Sequence, residues 1–252
     1  MSITGKIAII TGSTSGIGEA TAITLASQGA TVLVCGRDTI RGEEVLKIIR
    51  DQGGQAEFVS CDLLDPQAPE RIVEEAIRLW GRIDIVVNNA AMVSNKVIDN
   101  ISMEDWDRLL QVNLKAPFFL IQSALPFLRE SKGTVINVSS INAIRNLSNN
   151  LIYDTIKAGL NHMTQGLAKD LLKDGIRINA VMPGGTKTPL LKEWWQHMTM
   201  DASIAEQLYI DACSDPNNAD PQQIASVIAF LASEQASWVN GAIIPINNGV
   251  HL

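Results

Sequence analysis

The chain has 252 residues, 46% hydrophobic and 19% charged, the proportions of a folded globular protein and far from those of a disordered one. Its 20 basic and 27 acidic residues give a net charge of −7, which argues against nucleic acid or an anionic membrane as a main partner. No apolar run approaches the ~18 residues of a membrane span, residues 1–6 lack the regions of a signal peptide, and Cys35, Cys61 and Cys213 form no CxxC. Neither a disulfide framework nor a structural zinc site is expected, and the chain reads as cytoplasmic.

Ile7–Ile10 is a short apolar run ending at Thr11-Gly12, which predicts a first strand. Residues 17–28 then carry Ile17, Ala20, Ala22, Ile23, Leu25 and Ala26 near helical spacing, with Gly29 as a stop. Further strands are predicted at 31–35, 56–60, 83–87, 134–138, 176–181 and 242–246, and helices near 39–52, 66–80, 103–130, 154–174 and 221–233. Short, nearly continuous apolar strands alternating with helices imply a parallel sheet covered on both faces. The expected fold is therefore α/β: one domain over 1–252, a doubly wound Rossmann-type parallel sheet of about seven strands. Residues 186–220 break the rhythm with Pro189, Pro216 and Asp215-Pro216-Asn217-Asn218; an insertion of that length is expected to be a substrate lid.

The turn Gly12-Ser13-Thr14-Ser15-Gly16-Ile17-Gly18 joins the first strand to the first helix. There glycines allow a tight turn and let a pyrophosphate approach backbone N–H groups at a helix N-terminus. The spacing is G-x-x-x-G-x-G, not the usual dinucleotide fingerprint G-x-G-x-x-G, so a purely structural turn fits the motif too. At the end of the second strand, where a carboxylate often bonds a ribose 2′-OH, stand Gly36 and Arg37. Arg37 can pair with a 2′-phosphate, which leans to NADP; a solvated loop arginine fits as well, and Asp38 beside it pulls the other way.

Tyr153 and Lys157 lie four apart, on one face of a predicted helix. A free phenol is a poor base at neutral pH, and a neighbouring ammonium would lower its pKa. Ser140, just beyond the strand at 134–138, could hold a substrate oxygen beside the tyrosine. A Tyr and a Lys at this spacing also arise as an unrelated surface pair, so the motif gains weight only from its surroundings.

With these motifs stand Cys61-Asp62-Leu63, Asn88-Asn89-Ala90-Ala91, Val112-Asn113-Leu114 and Pro183-Gly184-Gly185-Thr186-Lys187-Thr188. In this order and spacing the chain resembles the short-chain dehydrogenase/reductases over essentially its whole length. The resemblance implies hydride transfer between a nicotinamide and a carbonyl–alcohol pair, with NADP(H) preferred through Arg37 and NAD(H) as the alternative. It implies Tyr153 as general acid or base, Lys157 lowering the tyrosine pKa and holding the nicotinamide ribose, and Ser140 orienting the substrate oxygen. It further implies that Asn113 anchors a proton-relaying water, that Asp62 and Leu63 border the adenine, and that Asn89 and Ala90 lie by the nicotinamide-side ribose. Pro183, Gly184, Thr186 and Thr188 would hold the carboxamide and close over the cofactor. A homotetramer is implied too, through the helices at 103–130 and 154–174 and the C-terminal strand. Three departures bear on substrate rather than chemistry: Ile156 before the lysine, Asn247-Asn248-Gly249 near the end, and a glycine-free 141–152.

Arg145 and the asparagines of 141–152 could read a polar substrate, though turns are the frequent use of Asn. Leu190, Leu191, Trp194, Trp195, Met198, Met200, Leu208 and Tyr209 suit a bulky apolar ligand, the lid's own packing or a subunit contact. An acyl-carrier-linked 3-oxoacyl reductase would need a basic docking patch, for which Arg129, Lys132, Lys173 and Arg177 are candidates. A cofactor-binding sensor without turnover is the alternative from another class. His162, His197 and His251 share no metal-ligand spacing.

Overall fold

A computed structural model of the chain describes residues 3–199 and 201–250; Met200, His251, Leu252 and the first two residues lie outside it. Seven strands form one parallel sheet: β1 (Ile7–Thr11), β2 (Thr31–Gly36), β3 (Gln55–Ser60), β4 (Ile85–Asn88), β5 (Thr134–Val138), β6 (Arg177–Pro183) and β7 (Ile243–Ile246). Their order is β3-β2-β1-β4-β5-β6-β7, so the chain winds outward from β1 in one direction and from β4 in the other. The interior strands are largely apolar because both their faces are covered. Ala8, Ile10, Val32, Val34, Ile85, Val87, Ile136 and Val138 point to one layer of core, and Ile9, Leu33, Val86 and Val135 to the other, the period-2 alternation of a strand.

The first layer is closed by α1 (Gly16–Ser27), α2 (Thr39–Asp51) and α9 (Pro221–Ala232), the second by α3 (Ala68–Trp80), α5 (Ala116–Ser131) and α6 (Leu151–Asp170). The predicted helix at 103–130 is in fact two: α4 (Met103–Leu110) and α5, joined by a π-helical turn over Gln111–Lys115. Ser102 starts α4 with a capping box through Asp105.

The described part of the expected lid is mostly helical: α7 (Pro189–Met198) and α8 (Ala202–Ser214). Pro189 is its first helical residue, where a missing N–H costs nothing, and Thr188 and Asp201 cap the two helices. The hairpin is pinched at its base. Lys187 N–H donates to Ala219 O (3.0 Å) and Ala219 N–H to Gly185 O (2.8 Å), and Lys187 pairs with Asp220 at 3.1 Å. Among the described residues, no helix is long and apolar enough to cross a membrane.

Candidate active site

β1 and β4 are neighbours whose connections leave on opposite sides, and open parallel sheets take ligands in the crevice beyond such strand ends. A cleft of about 870 Å³ lies there, walled by the glycine turn, the ends of β2, β4, β5 and β6, and the lid.

The turn is built for close approach. Gly12 and Gly16 have φ of +63° and +58°, and a Cβ on Gly12 would lie 2.8 Å from Ala90 Cα. Ser15 precedes α1 without a side-chain cap bond, leaving the first-turn N–H groups available to an anion. Gly12, Thr14, Ser15, Gly16 and Ile17 line the cleft. Ser13 and Gly18 do not, because both are spent on the turn itself. Ser13 Oγ donates to Ile10 O (2.7 Å) and accepts from Cys35 N–H (2.9 Å). A Cβ on Gly18 would collide with the Gly12 carbonyl and the Asn89 amide.

At the β2 end, Gly36 has no room for a side chain: its Cβ would lie 2.6 Å from Thr14 Cγ2. Asp38 caps α2, accepting from Arg41 N–H at 3.1 Å and pairing with Arg41 Nε at 3.4 Å. Arg37 and Arg41 both line the cleft, with Asp62 and Leu63 beyond them. Arg41 escaped the sequence reading; its signal was the i+4 spacing from Arg37 across a helix start.

Asn89 and Ala90 line the cleft after β4, yet the Asn89 amide nitrogen is already committed to Thr11 O (2.9 Å) and Gly12 O (3.0 Å). Thr11 Oγ1 accepts from the N–H of Asn89 and of Ala90, each at 3.1 Å. These bonds fasten β4 to the turn. Asn113 falls outside the cleft lining. Its side chain is fully engaged, donating to Met92 O (3.1 Å) and Leu109 O (3.0 Å) and accepting from Met92 N–H (3.2 Å). It stitches the π-helical turn to the cleft wall.

Ser140, Tyr153 and Lys157 come together at the far end, Ser140 from beyond β5 and the other two from the first turns of α6. Ser140 Oγ accepts from Asn142 N–H at 3.2 Å and hydrogen-bonds the Tyr153 phenol. Lys157 Nζ donates to Val138 O at 2.9 Å and stands 5.5 Å from the Tyr153 ring centroid. Both side chains are buried. Burial pushes the phenol up to about 12 against the opposing Ser140 hydrogen bond, with the Asp154 charge adding to the rise. Burial likewise pulls the Lys157 ammonium down to about 7. In the chain by itself burial, and not the Lys157 charge, sets the phenol. Desolvation disfavours both charged forms, and the amine is directed to a carbonyl.

A buried polar chain braces this end: Asn88 Nδ2 to Asn137 Oδ1 (2.8 Å), Asn137 Nδ2 to Thr164 Oγ1 (2.9 Å), and Ser139 Oγ to Lys157 O (3.2 Å). Ile156 packs with Val93, Leu109, Ile152 and Tyr153 against Leu190 and Trp194; its bulk is taken up by the lid contact.

Pro183, Gly184, Thr186 and Thr188 line the wall after β6, and a Cβ on Gly16 would lie 2.9 Å from Thr188 Cγ2, so this loop meets the glycine turn. The lid contributes Leu190, Leu191, Glu193, Trp194 and Trp195. Trp194 stands edge-on to Tyr153 (6.0 Å, 82°). Of 141–152, Ile141, Asn142, Arg145 and Leu147 reach the cleft. Asn150 and Asn149 serve the turn instead, Asn150 bonding Asp154 and Asn149 adopting φ +62°.

The expected basic docking patch does not form at the cleft mouth. Arg129, Lys132, Lys173 and Arg177 lie before the N-terminal ends of β5 and β6, or at them, across the sheet from the cleft. Arg129 pairs with Asp174 at 2.9 Å, and Arg177 donates to Leu231 O and Ser233 O.

Residues 12–251 match the family model described as enoyl-(acyl carrier protein) reductase. The chain is 32% identical over 264 residues to a 3beta-hydroxysteroid dehydrogenase of Mediterraneibacter gnavus, covering 97% of this chain and 94% of that one. It is 32% identical over 251 residues to a 3-oxoacyl-[acyl-carrier-protein] reductase of Thermotoga maritima, covering 99% of each. The structure of L-sorbose reductase from Gluconobacter frateurii, complexed with NADPH and L-sorbose, superposes with a TM-score of 0.91 at 31% identity, over 100% of this chain and 98% of that one.

Proposed function

The chain belongs to the short-chain dehydrogenase/reductase family of oxidoreductases, and from that premise we propose that it interconverts a ketone and a secondary alcohol with NADP(H). The observation that carries this reading is the convergence of Ser140, Tyr153 and Lys157 at one end of a cleft whose other end holds a glycine turn and two arginines. Open helix N–H groups and Gly12 and Gly16 suit a pyrophosphate. Arg37 and Arg41 suit a 2′-phosphate, and Asp38, the carboxylate that would repel it, is occupied as a helix cap. The NADPH named for the sorbose reductase agrees with this.

When bound, the nicotinamide supplies or accepts the hydride. The chain's own residues handle the proton and the geometry. Tyr153, protonated at neutral pH, donates its phenolic proton to the substrate oxygen in reduction, while Ser140 Oγ holds that oxygen. Lys157 and the residues 183–188 contribute to cofactor binding, with Asp62 and Leu63 at the adenine. Ser13, Gly18, Asn89 and Asn113 act as positioning residues, and the lid tryptophans exclude water. We assign the whole chain, 1–252, to this one catalytic domain.

We further propose a homotetramer in the cytoplasm. Exposed Trp106, Phe118, Phe119 and Leu151 on α4, α5 and α6, and Trp238 at 99% exposure before β7, offer two apolar faces; the three free cysteines suit a reducing compartment.

The test is separate titration with NADPH and NADH, followed by cofactor fluorescence, in wild type, Arg37→Ala and Arg41→Ala. A preference for NADPH that falls about tenfold or more in each variant is expected. Equal binding of both cofactors, untouched by either substitution, refutes the cofactor assignment. Tyr153→Phe separates enzyme from sensor: it should abolish ketone reduction while cofactor still binds.

A further inference from the structure

The substrate end of the cleft carries side-chain donors that have no acceptor in the protein. Arg145 lines the cleft five residues beyond Ser140. Its Nε donates to Asn142 Oδ1 at 3.2 Å. A guanidinium has no acceptor, so this bond fixes the Asn142 amide with its oxygen toward Arg145 and leaves Nδ2 free. Asn142 is itself 6% exposed, lines the cleft, and reaches Ser140 Oγ through its backbone N–H. Among the described residues no carboxylate lies within ion-pair distance of Arg145, and neither of its Nη atoms has a protein acceptor. Trp195 lines the cleft too, and its Nε1 is buried without a hydrogen-bond partner.

Two carboxylates belong to the surroundings of this cluster. Asp154 accepts from Leu147 N–H and from Asn150 Nδ2 and feels the Arg145 charge without pairing to it, and Glu193, which also lines the cleft, lies 3.9 Å from His197 Nε2, one turn along α7. The unfilled Nη atoms of Arg145 and Nδ2 of Asn142, in a cleft also lined by Leu147, Leu190 and Trp194, describe a site for an anionic head on an apolar body.

Resting on the reductase reading above, we propose that Arg145 is a specificity-determining residue that binds a carboxylate, so that the ketone or alcohol processed at Tyr153 is an oxo acid or hydroxy acid with an apolar chain. Asn142 couples that recognition to Ser140.

The test compares oxo acids of graded chain length, each matched to its methyl ester, in NADPH-dependent reduction. Acid binding is measured independently by quenching of tryptophan fluorescence. Wild type should prefer the best acid to its ester in kcat/KM by about ten- to hundredfold, the range of a charge-assisted hydrogen bond. Arg145→Met should erase the preference and the acid-induced quenching, and Arg145→Lys should retain part of both. An acid-to-ester ratio left unchanged by Arg145→Met overturns the proposal, as does a phosphorylated ketone outcompeting every oxo acid. Reduction of esters with no preference for acids removes Arg145 from specificity and leaves the reductase reading standing. Arg145-dependent binding of acids without any reduction supports the anion site and refutes that reading.

Discussion

Lys157 is among the largest side chains buried to below 2% exposure, and its one hydrogen-bond acceptor is Val138 O. Burial takes its pKa from 10.5 to about 7, so the unfolded chain holds a proton that the folded chain gives up between those values. Stability must therefore rise as pH climbs from about 7 toward 10.5. Linkage with the ordinary lysine value gives a burial cost of about 4 kcal/mol at pH 7 and about 2 kcal/mol at pH 9. The difference, about 2 kcal/mol, corresponds to roughly 4–8 °C in a chain of this length. Lys157→Met keeps the apolar stem and removes the titrating group. Thermal melts of both proteins at pH 7, 8 and 9 should give the variant the higher Tm at pH 7, with the gap closing by about 5 °C at pH 9; other titrations cancel in the difference. A gap that does not move with pH would mean that the folded chain keeps Lys157 charged throughout, and the reasoning would fail.

Gly18→Ala forces a methyl group onto the Gly12 carbonyl and the Asn89 amide, both of them backbone-fastened. It should lower stability by about 3 kcal/mol in urea unfolding, and a variant as stable as wild type would show that the turn can shift. Tyr153 and Tyr209 are the two tyrosines of the chain, and burial raises both phenols above the ordinary 10. Absorbance at the tyrosinate band should therefore stay flat across the neutral range in the protein without cofactor. An ionisation step near pH 7 that disappears in Tyr153→Phe would refute this.

Strands and helices were legible because β1, β2, β4 and β5 are short apolar runs between helical ones, and burial on both faces leaves no other reading of them. The lid was harder. Pro189 and Pro216 look like loop residues, yet Pro189 starts a helix behind the Thr188 cap, and only the Thr-Pro pair hinted at it. The π-helical turn at 111–115 had no sequence signal, since α4 and α5 together carry one continuous helical pattern. At the site, motif position located the neighbourhood but could not tell which atoms face the cleft. Ser13, Gly18 and Asn113 sit in the right motifs and are consumed by bonds or contacts within the fold. Arg41 and Arg145 lie outside the motifs and reach the cleft.

The same limit explains the tyrosine. Spacing brings an ammonium beside a phenol, and Coulomb attraction alone then predicts an acidic phenol. Burial acts on both groups at once, and each loses the solvation that its charged form needs. The result is a phenol held up to about 12 beside an amine drawn down to about 7, a pair that at neutral pH stores its proton on Tyr153. In the proposed reduction such a pair is ready to act as the acid. For the reverse oxidation the phenol must first lose that proton, and among the described residues no buried cation donates a hydrogen bond to its oxygen. A cationic group bound in the cleft would supply that charge, tying the direction of proton transfer to occupancy of the cleft.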